Sequence, residues 1–350
     1  MRWNGIHVNA CAAVLGRREE TRTAVAEGRY DEAEAAADGF LSISVAEGTP
    51  PVELAVQAAD LAMSRATVTA PQIDLVVHSS CNHQGLDHFA PASYVQGRTV
   101  GGRAAAVEVK QYSNGGLAAL EIAAAYLTAR SEDSAALLTT SDVFALPRFD
   151  RYGSDKGVVF GDGGTGLVLS RRGGVARLLS TAVISDGTYG AVYLGNAPFE
   201  EEAAGAEDGP VDLRGRRDAY LEENGELLLK IVQSLTERQQ ESVTVALADA
   251  GLTAADIDRW VLTNVGRTLD DVDFRATFGI EDDRTLWEWG RRVGHIGAAD
   301  QIAGLTHLLE TGAVRPGDRV ALCGIGMGFT YACAVVEILD QPEWTPAEAS

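Results

Sequence analysis

A short stretch of this chain occurs twice, and that constrains the fold more than any other feature. Residues 66–80, ATVTAPQIDLVVHSS, align without gaps on residues 250–264, AGLTAADIDRWVLTN. Six of the fifteen positions are identical: Ala66/Ala250, Thr69/Thr253, Ala70/Ala254, Ile73/Ile257, Asp74/Asp258 and Val77/Val261. The offset, 250 minus 66, is 184, and nearly the same offset of 185 relates Asp133–Leu138 (DSAALL) to Asp318–Cys323 (DRVALC). In both copies a polar turn runs into an apolar segment of the kind that forms the interior of a parallel sheet. A duplicated strand-and-helix unit predicts two halves related by a pseudo-twofold axis, with strands and helices alternating in each.

The chain in order supports that layout. Ile6–Leu15 reads as a first strand, followed by an acidic, alanine-rich surface segment from Glu19 to Asp38 that holds one or two helices. Residues 52–66 are amphipathic, and residues 73–80 form an apolar strand that ends in the polar loop Cys81-Asn82-His83-Gln84-Gly85. Val107 and Val109 alternate as in a strand, which breaks at Ser113-Asn114-Gly115-Gly116 into the helical run Leu117–Ala123. Strands are expected over 135–139 and 158–169, and a helix over 302–309. The halves divide at 172/173, and residues 188–226, rich in Gly, Pro and acids, read as a connector or cap.

Ser113 at a strand-to-helix elbow has two readings. Ser and Asn are the preferred helix caps. A hydroxyl at such an elbow also sits near free N–H groups and the positive helix end, where a developing oxyanion is favoured. Stepping nearly the same offset, 182, from Ser113 lands on His295 in VGHIGAAD, which predicts two elbows facing each other, one with a hydroxyl and one with an imidazole.

Composition excludes several classes. Fifty acidic against 29 basic residues give a formal charge of -21, which repels nucleic acid and anionic membrane. No apolar run approaches the roughly 20 residues of a membrane span, and Met1-Arg2-Trp3-Asn4 shows no signal-peptide core, so a cytoplasmic location is expected. Cys11, Cys81, Cys323 and Cys333 show no metal-type or disulfide spacing, and no dinucleotide or phosphate-loop fingerprint occurs, so neither metal nor cofactor is expected.

Five segments carry a resemblance: YSNGG at the elbow, DKGVVFGDGGTGLVL (Asp155–Leu169), WVLTNVGR (Trp260–Arg267), VGHIGAAD, and GIGMGFTYACAVVE (Gly324–Glu337). In order and spacing they resemble the thiolase superfamily, and within it the type III β-ketoacyl-acyl-carrier-protein synthases. The resemblance implies an α/β thiolase fold of five layers, αβαβα, from two related halves, and a homodimer. In the condensing members the elbow carries Cys, the later strand end His and the following loop Asn. Here those positions hold Ser113, Asn264 and His295, so the nucleophile has changed and His and Asn are exchanged. This pattern resembles a branch of serine or cysteine acyltransferases and starter-unit priming enzymes of actinomycete natural-product (polyketide) pathways.

A serine hydroxyl, unlike a thiol, requires an adjacent general base, and that base requires an orienting acid. The resemblance therefore implies Ser113 as nucleophile and His295 as base. Asp300 is the candidate acid, its alternative being a first-turn complement to the helix dipole. It places the oxyanion donors at the backbone N–H groups of Ser113 and Met327, in the Gly326-Met327-Gly328 turn. Asn264 is a candidate donor to the thioester carbonyl or simply a turn former, and His83 and Asn114 are candidate pocket residues. His78 fits a structural role, and His7, His88 and His307 carry no signal. The implied partners are acyl-CoA or an acyl carrier protein, for which Arg214, Arg216, Arg217, Arg267, Arg291 and Arg292 are candidate docking cations. The chemistry points to acyl transfer through acyl-Ser113. Decarboxylative condensation with malonyl carrier protein, a thioesterase, and a silent partner in a synthase complex are the other readings.

Overall fold

The computed structural model describes residues 1–195 and 209–347; residues 196–208 of the expected connector lie outside the described residues. The strands are β1 (His7–Leu15), β2 (Arg17–Glu20), β3 (Ser42–Val45), β4 (Ile73–Ser79), β5 (Ala105–Val109), β6 (Ala135–Asp142), β7 (Gly163–Ser170), β8 (Ala176–Ser185), β9 (Arg259–Val261), β10 (Arg319–Gly326) and β11 (Thr330–Ile338). The helices are α1 (Thr21–Ala26), α2 (Glu32–Asp38), α3 (Pro51–Arg65), α4 (Pro91–Arg98), α5 (Gly115–Thr128), α6 (Leu213–Asn224), α7 (Leu228–Ala250), α8 (Val272–Phe278), α9 (Trp287–Gly290) and α10 (Asp300–Glu310).

The duplication is visible in the strand order. Nine strands are hydrogen-bonded in the order β5-β4-β6-β7-β1-β8-β11-β10-β9. Reading outward from the β1/β8 junction, β1-β7-β6-β4 mirrors β8-β11-β10-β9, with the outermost pair parallel and the rest antiparallel in each half. Strands β1 and β8 pair across the middle of the sheet at His7↔Arg177 and Val8↔Ala176. Each copy of the repeat enters its strand through the same device: the Thr69 N–H and hydroxyl donate to Gln72 Oε1, and those of Thr253 to Asp256 Oδ2.

Helices α3 and α4 cover one outer face, α7 and α8 the other, and α5 and α10 lie between the half-sheets. That gives the five layers αβαβα. The middle layer is apolar on all sides because it faces sheet both ways: Leu117, Leu120 and Leu127 of α5 meet Ile302, Leu305 and Leu308 of α10. Each such side chain contributes roughly 1.5–3 kcal/mol on burial.

Two expectations shift. The strand expected over 158–169 begins only at Gly163, because the preceding residues follow the His295 loop. Phe160 bridges His295, and the buried Asp162 carboxylate takes the Ala46 and Phe144 N–H groups and the Arg151 guanidinium. The pseudo-twofold counterpart of Ser113 is Ala298 rather than His295: α5 starts at Gly115 and α10 at Asp300, an offset of 185, and each helix is preceded by a three-residue 3-10 turn, Tyr112–Asn114 and Gly297–Ala299. His295 precedes its turn, in the extended segment paired with Phe160.

The two elbows pack directly on one another, and the glycines of YSNGG permit it. A Cβ on Gly116 would lie 2.6 Å from the Ala298 carbonyl oxygen, and one on Gly115 would lie 1.9 Å from Ser79 Oγ. Gly116→Ala should therefore destabilise the protein. The helix-propensity gain of about 1 kcal/mol is outweighed by an overpacking cost of about 1–3 kcal/mol against backbone that cannot swing aside. A urea midpoint equal to or above wild type would refute the close approach.

Candidate active site

Ser113 lies in the 3-10 turn between β5 and α5, with Tyr112 before it at φ 47. A left-handed Tyr costs of order 1 kcal/mol or more, so the surrounding packing holds the turn in this conformation. The Ser113 hydroxyl stands 2.7 Å from His295 Nε2, and His295 Nδ1 stands 2.7 Å from Asp300 Oδ2. With Nδ1 protonated, the imidazole donates to Asp300 and presents a free Nε2 lone pair to the hydroxyl.

Asp300 is fully buried and its oxygens are further occupied by the Ile296 N–H at 2.9 Å and the Asn264 N–H at 2.8 Å. His295 is 4 % exposed. Its pKa is raised: burial opposes the imidazolium, but the Asp300 charge and hydrogen bond, with Asp142 and Asp155 behind, outweigh it. The Phe160 ring packs against the imidazole with centroids 5.5 Å apart, and continues into the Phe144–Phe149 cluster that Cys81 and Met327 also touch.

The Gly326-Met327 turn closes on the elbow. A Cβ on Gly326 would lie 2.3 Å from the Gln111 carbonyl oxygen and 2.9 Å from Asn114 Cβ. The N–H groups of Ser113 and Met327 donate to no backbone carbonyl among the described residues. Asn114 is fully buried beneath the nucleophile, its amide against Gly324.

The remaining candidates separate. The Asn264 side chain is turned inward, its Nδ2 donating to the Gly294 carbonyl at 3.0 Å and lying 3.4 Å from Asp300 Oδ1, so it braces the acid instead of facing a thioester. Both His83 ring nitrogens are taken up within its own loop, Nε2 by Asp87 at 2.9 Å and Nδ1 by the Gly85 N–H at 3.0 Å. His78 is held by Thr139 and Gln84, and burial depresses its pKa to about 4. Among the candidate docking cations, Arg214, Arg217, Arg267, Arg291 and Arg292 are engaged by Glu34, Asp155, Asp270 with Asp282, Glu288 and Glu288 respectively.

Two residues of this neighbourhood escaped the sequence reading. The Cys81 thiol faces the Ser113 hydroxyl, and burial, with the Asp142 carboxylate beside it, pushes its pKa well above the ordinary value, so it stays a thiol. Asp142, the last residue of β6, is buried with backbone N–H groups around it. An acid ending an eight-residue strand that is otherwise apolar or small was the available signal.

Residues 107–187 match the family model for 3-oxoacyl-[acyl-carrier-protein (ACP)] synthase III, and residues 247–338 match the model for its C-terminal part. The solved structure of ChlB3, an acyltransferase, is 32% identical and superposes with a TM-score of 0.90 over 99% of each chain. The chain belongs to the 3-oxoacyl-[acyl-carrier-protein] synthase III family. Within the synthase III family, the protein from Thermosynechococcus vestitus is 29% identical over 81% of this chain and 82% of its own, and one from Streptomyces coelicolor is 29% identical over 83% of each. The Pseudomonas aeruginosa synthase III structure, at 20% identity and a TM-score of 0.76 over 97% of this chain and 100% of its own, shares the fold. No helix among the described residues is long and apolar enough to cross a membrane.

Proposed function

We propose that this protein is an acyltransferase of natural-product (polyketide-type) assembly that carries its acyl group on Ser113. The observation that supports this reading is the continuous chain Ser113–His295–Asp300, with both contacts at 2.7 Å. Ser113 Oγ attacks the thioester carbonyl of an acyl-CoA or acyl carrier protein while its proton passes to His295 Nε2. The oxyanion develops towards the N–H groups of Ser113 and Met327. Collapse breaks the C–S bond, the imidazolium returns its proton to the departing thiolate, and an acyl-Ser113 ester remains. A carrier-protein thiol or a hydroxyl then loses its proton to His295 and takes the acyl group, regenerating the serine. No cofactor takes part; CoA or phosphopantetheine enters as substrate.

Transfer is favoured over decarboxylative condensation by the orientation of Asn264. Condensation demands two donors for the enolate oxygen, and the Asn264 amide is already bound to Gly294 and Asp300. Intact-mass spectrometry with a panel of short acyl-CoAs and acylated carrier proteins tests the reading. An added acyl mass that is then discharged to an acceptor without carbon dioxide release supports transfer. Carbon dioxide release with malonyl carrier protein would instead establish condensation, and the absence of any adduct or turnover across the panel would point to a silent partner.

The same reading includes a homodimer. Strand β5 ends the sheet with Val107 40 % exposed, and Ile122 of the adjacent helix is 46 % exposed. An unprotected strand edge beside apolar side chains suits pairing with a second copy. Light scattering should give twice the 37.0 kDa chain mass, and Val107→Asp should shift the population to monomer; a monomeric wild type at micromolar concentration would sink this part of the proposal.

A further inference from the structure

The two elbows are held by opposite strand ends. With the 185-residue offset, Ser113 corresponds to Ala298 and Asp142, at the end of β6, corresponds to Met327, just past the end of β10. The turn after β10 closes on the first elbow, as Gly326 against Gln111 and Asn114 shows. The end of β6 closes on the second. Asp142 Oδ2 accepts from the Ala298 N–H at 3.3 Å, and the carboxylate also accepts from the Cys81 N–H at 2.9 Å and the Asn82 N–H at 2.7 Å. Gly297, at φ 65, presses so near that a Cβ there would lie 2.3 Å from Asp142 Oδ2. The carboxylate therefore joins the loop after β4, whose Cys81 faces Ser113, to the turn that follows His295.

A carboxylate buried without a cationic partner is a costly group to keep. Asp142 is fully buried and makes no ion pair among the described residues, whereas the other buried acid of this strand layer, Asp162, is paired with Arg151. Burial raises its pKa to about 6, against the pull of those N–H groups and of Lys110. Both carboxylate oxygens accept from backbone N–H groups, so an Asn in the same space would turn its amide NH2 onto one of those donors. The Asp142 charge also acts on the His295 imidazole, in addition to that of Asp300.

We propose, resting on the acyl-transfer reading above, that Asp142 is a second, positioning carboxylate of the site. It fixes His295 opposite Ser113 by tying the two loops together, and its negative charge steadies the imidazolium formed when Ser113 gives up its proton. It touches neither substrate nor the reacting atoms. The titratable and charged groups that share this space are Lys110 at the end of β5, Cys81 after β4, His295, Asp300 on α10, and Asp155 with its partner Arg217 from α6.

The test compares wild type with Asp142→Asn and Asp142→Ser; the first removes the charge but turns an amide NH2 onto the N–H groups, and the second removes the charge and leaves a hydroxyl that can rotate to accept from them. Two readouts are followed: the pH dependence of acyl-Ser113 formation by intact mass, and the His295 ring titration by NMR of 15N-histidine-labelled protein without substrate. The expected result is a rate constant lowered roughly tenfold to a hundredfold at unchanged donor KM, since a misplacement of about 1 Å can cost about 10²-fold. The imidazole titration and the acid limb of the profile should both move to lower pH, as removal of a nearby negative charge dictates. Coincident titrations and profiles, with only a lowered melting temperature, would overturn the proposal and leave Asp142 a structural pin. If wild type forms no adduct, the acyl-transfer reading fails and the ring titration alone decides whether Asp142 acts on His295. Should neither variant fold, the wild-type ring must still show an inflection as the 13C-labelled Asp142 carboxyl titrates; its absence overturns the proposal.

Discussion

Ser113→Ala should form no acyl adduct with any donor and should lose acyl transfer by a factor on the order of 10³ or more, while its fold and melting temperature stay close to wild type. The magnitude follows from losing the covalent route altogether, which leaves only binding and the oxyanion donors to assist the reaction. The stability expectation follows from position: Ser113 is partly exposed and donates only to His295, and its neighbours Asn114, Gly115 and Gly116 hold the elbow without it. Ser113→Cys is the informative companion. A thiol at the same site, 2.7 Å from a histidine already paired with a carboxylate, should still accept the acyl group. Full transfer activity in Ser113→Ala would remove the serine from the mechanism and leave it as the residue that starts a helix.

Asp300→Asn should retain the adduct chemistry but slow it roughly ten-thousandfold, the loss typical when the acid of such a triad is neutralised and the imidazole adopts the wrong tautomer. An Asn amide keeps only one accepting oxygen, so its NH2 would face either His295 Nδ1 and the Asn264 N–H or the Ile296 N–H, where the carboxylate now accepts all three. The pH profile provides a second readout with a definite sign. Acylation requires the neutral imidazole, so its rate falls as pH drops through the His295 pKa. In wild type that pKa is raised, so the acid limb lies above the value of a free imidazole. In Asp300→Asn burial remains and the largest counteracting charge is gone, so the limb should move to lower pH even as the plateau falls. A limb that stays in place would show that another carboxylate governs His295.

Much of this architecture was legible in the chain. The 184-residue repeat and the alternation of apolar strands with amphipathic helices imply two related halves, because a strand buried on both faces must be apolar throughout and the same local devices recur in both copies. The three residues now within hydrogen-bond reach of one another were also legible, because replacing a thiol by Ser113 makes a base and an acid necessary, and VGHIGAAD offers both. His295 and Asp300 were easiest to pair because only five residues separate them and a helix start turns one back on the other.

What the sequence could not show is set by direction and distance. Residue types say that Asn264 can donate, but the backbone path decides that its amide turns towards Gly294 and Asp300 and not towards a substrate. The repeat offset could be read only to within three residues, so it paired Ser113 with His295 where the helix starts pair it with Ala298. Asp142 and Cys81 gave little warning at all. Their partners lie 156 residues apart in Asp142–Ala298 and across strands for Cys81, and periodicity records which face of an element is buried but not what it is buried against. The amino-acid pattern alone thus determined two duplicated α/β halves and the types of residue able to run serine chemistry. The tertiary structure decided which N–H meets which oxygen, because that depends on packing two half-sheets and two elbows to within a few tenths of an ångström, a constraint no local sequence signal encodes.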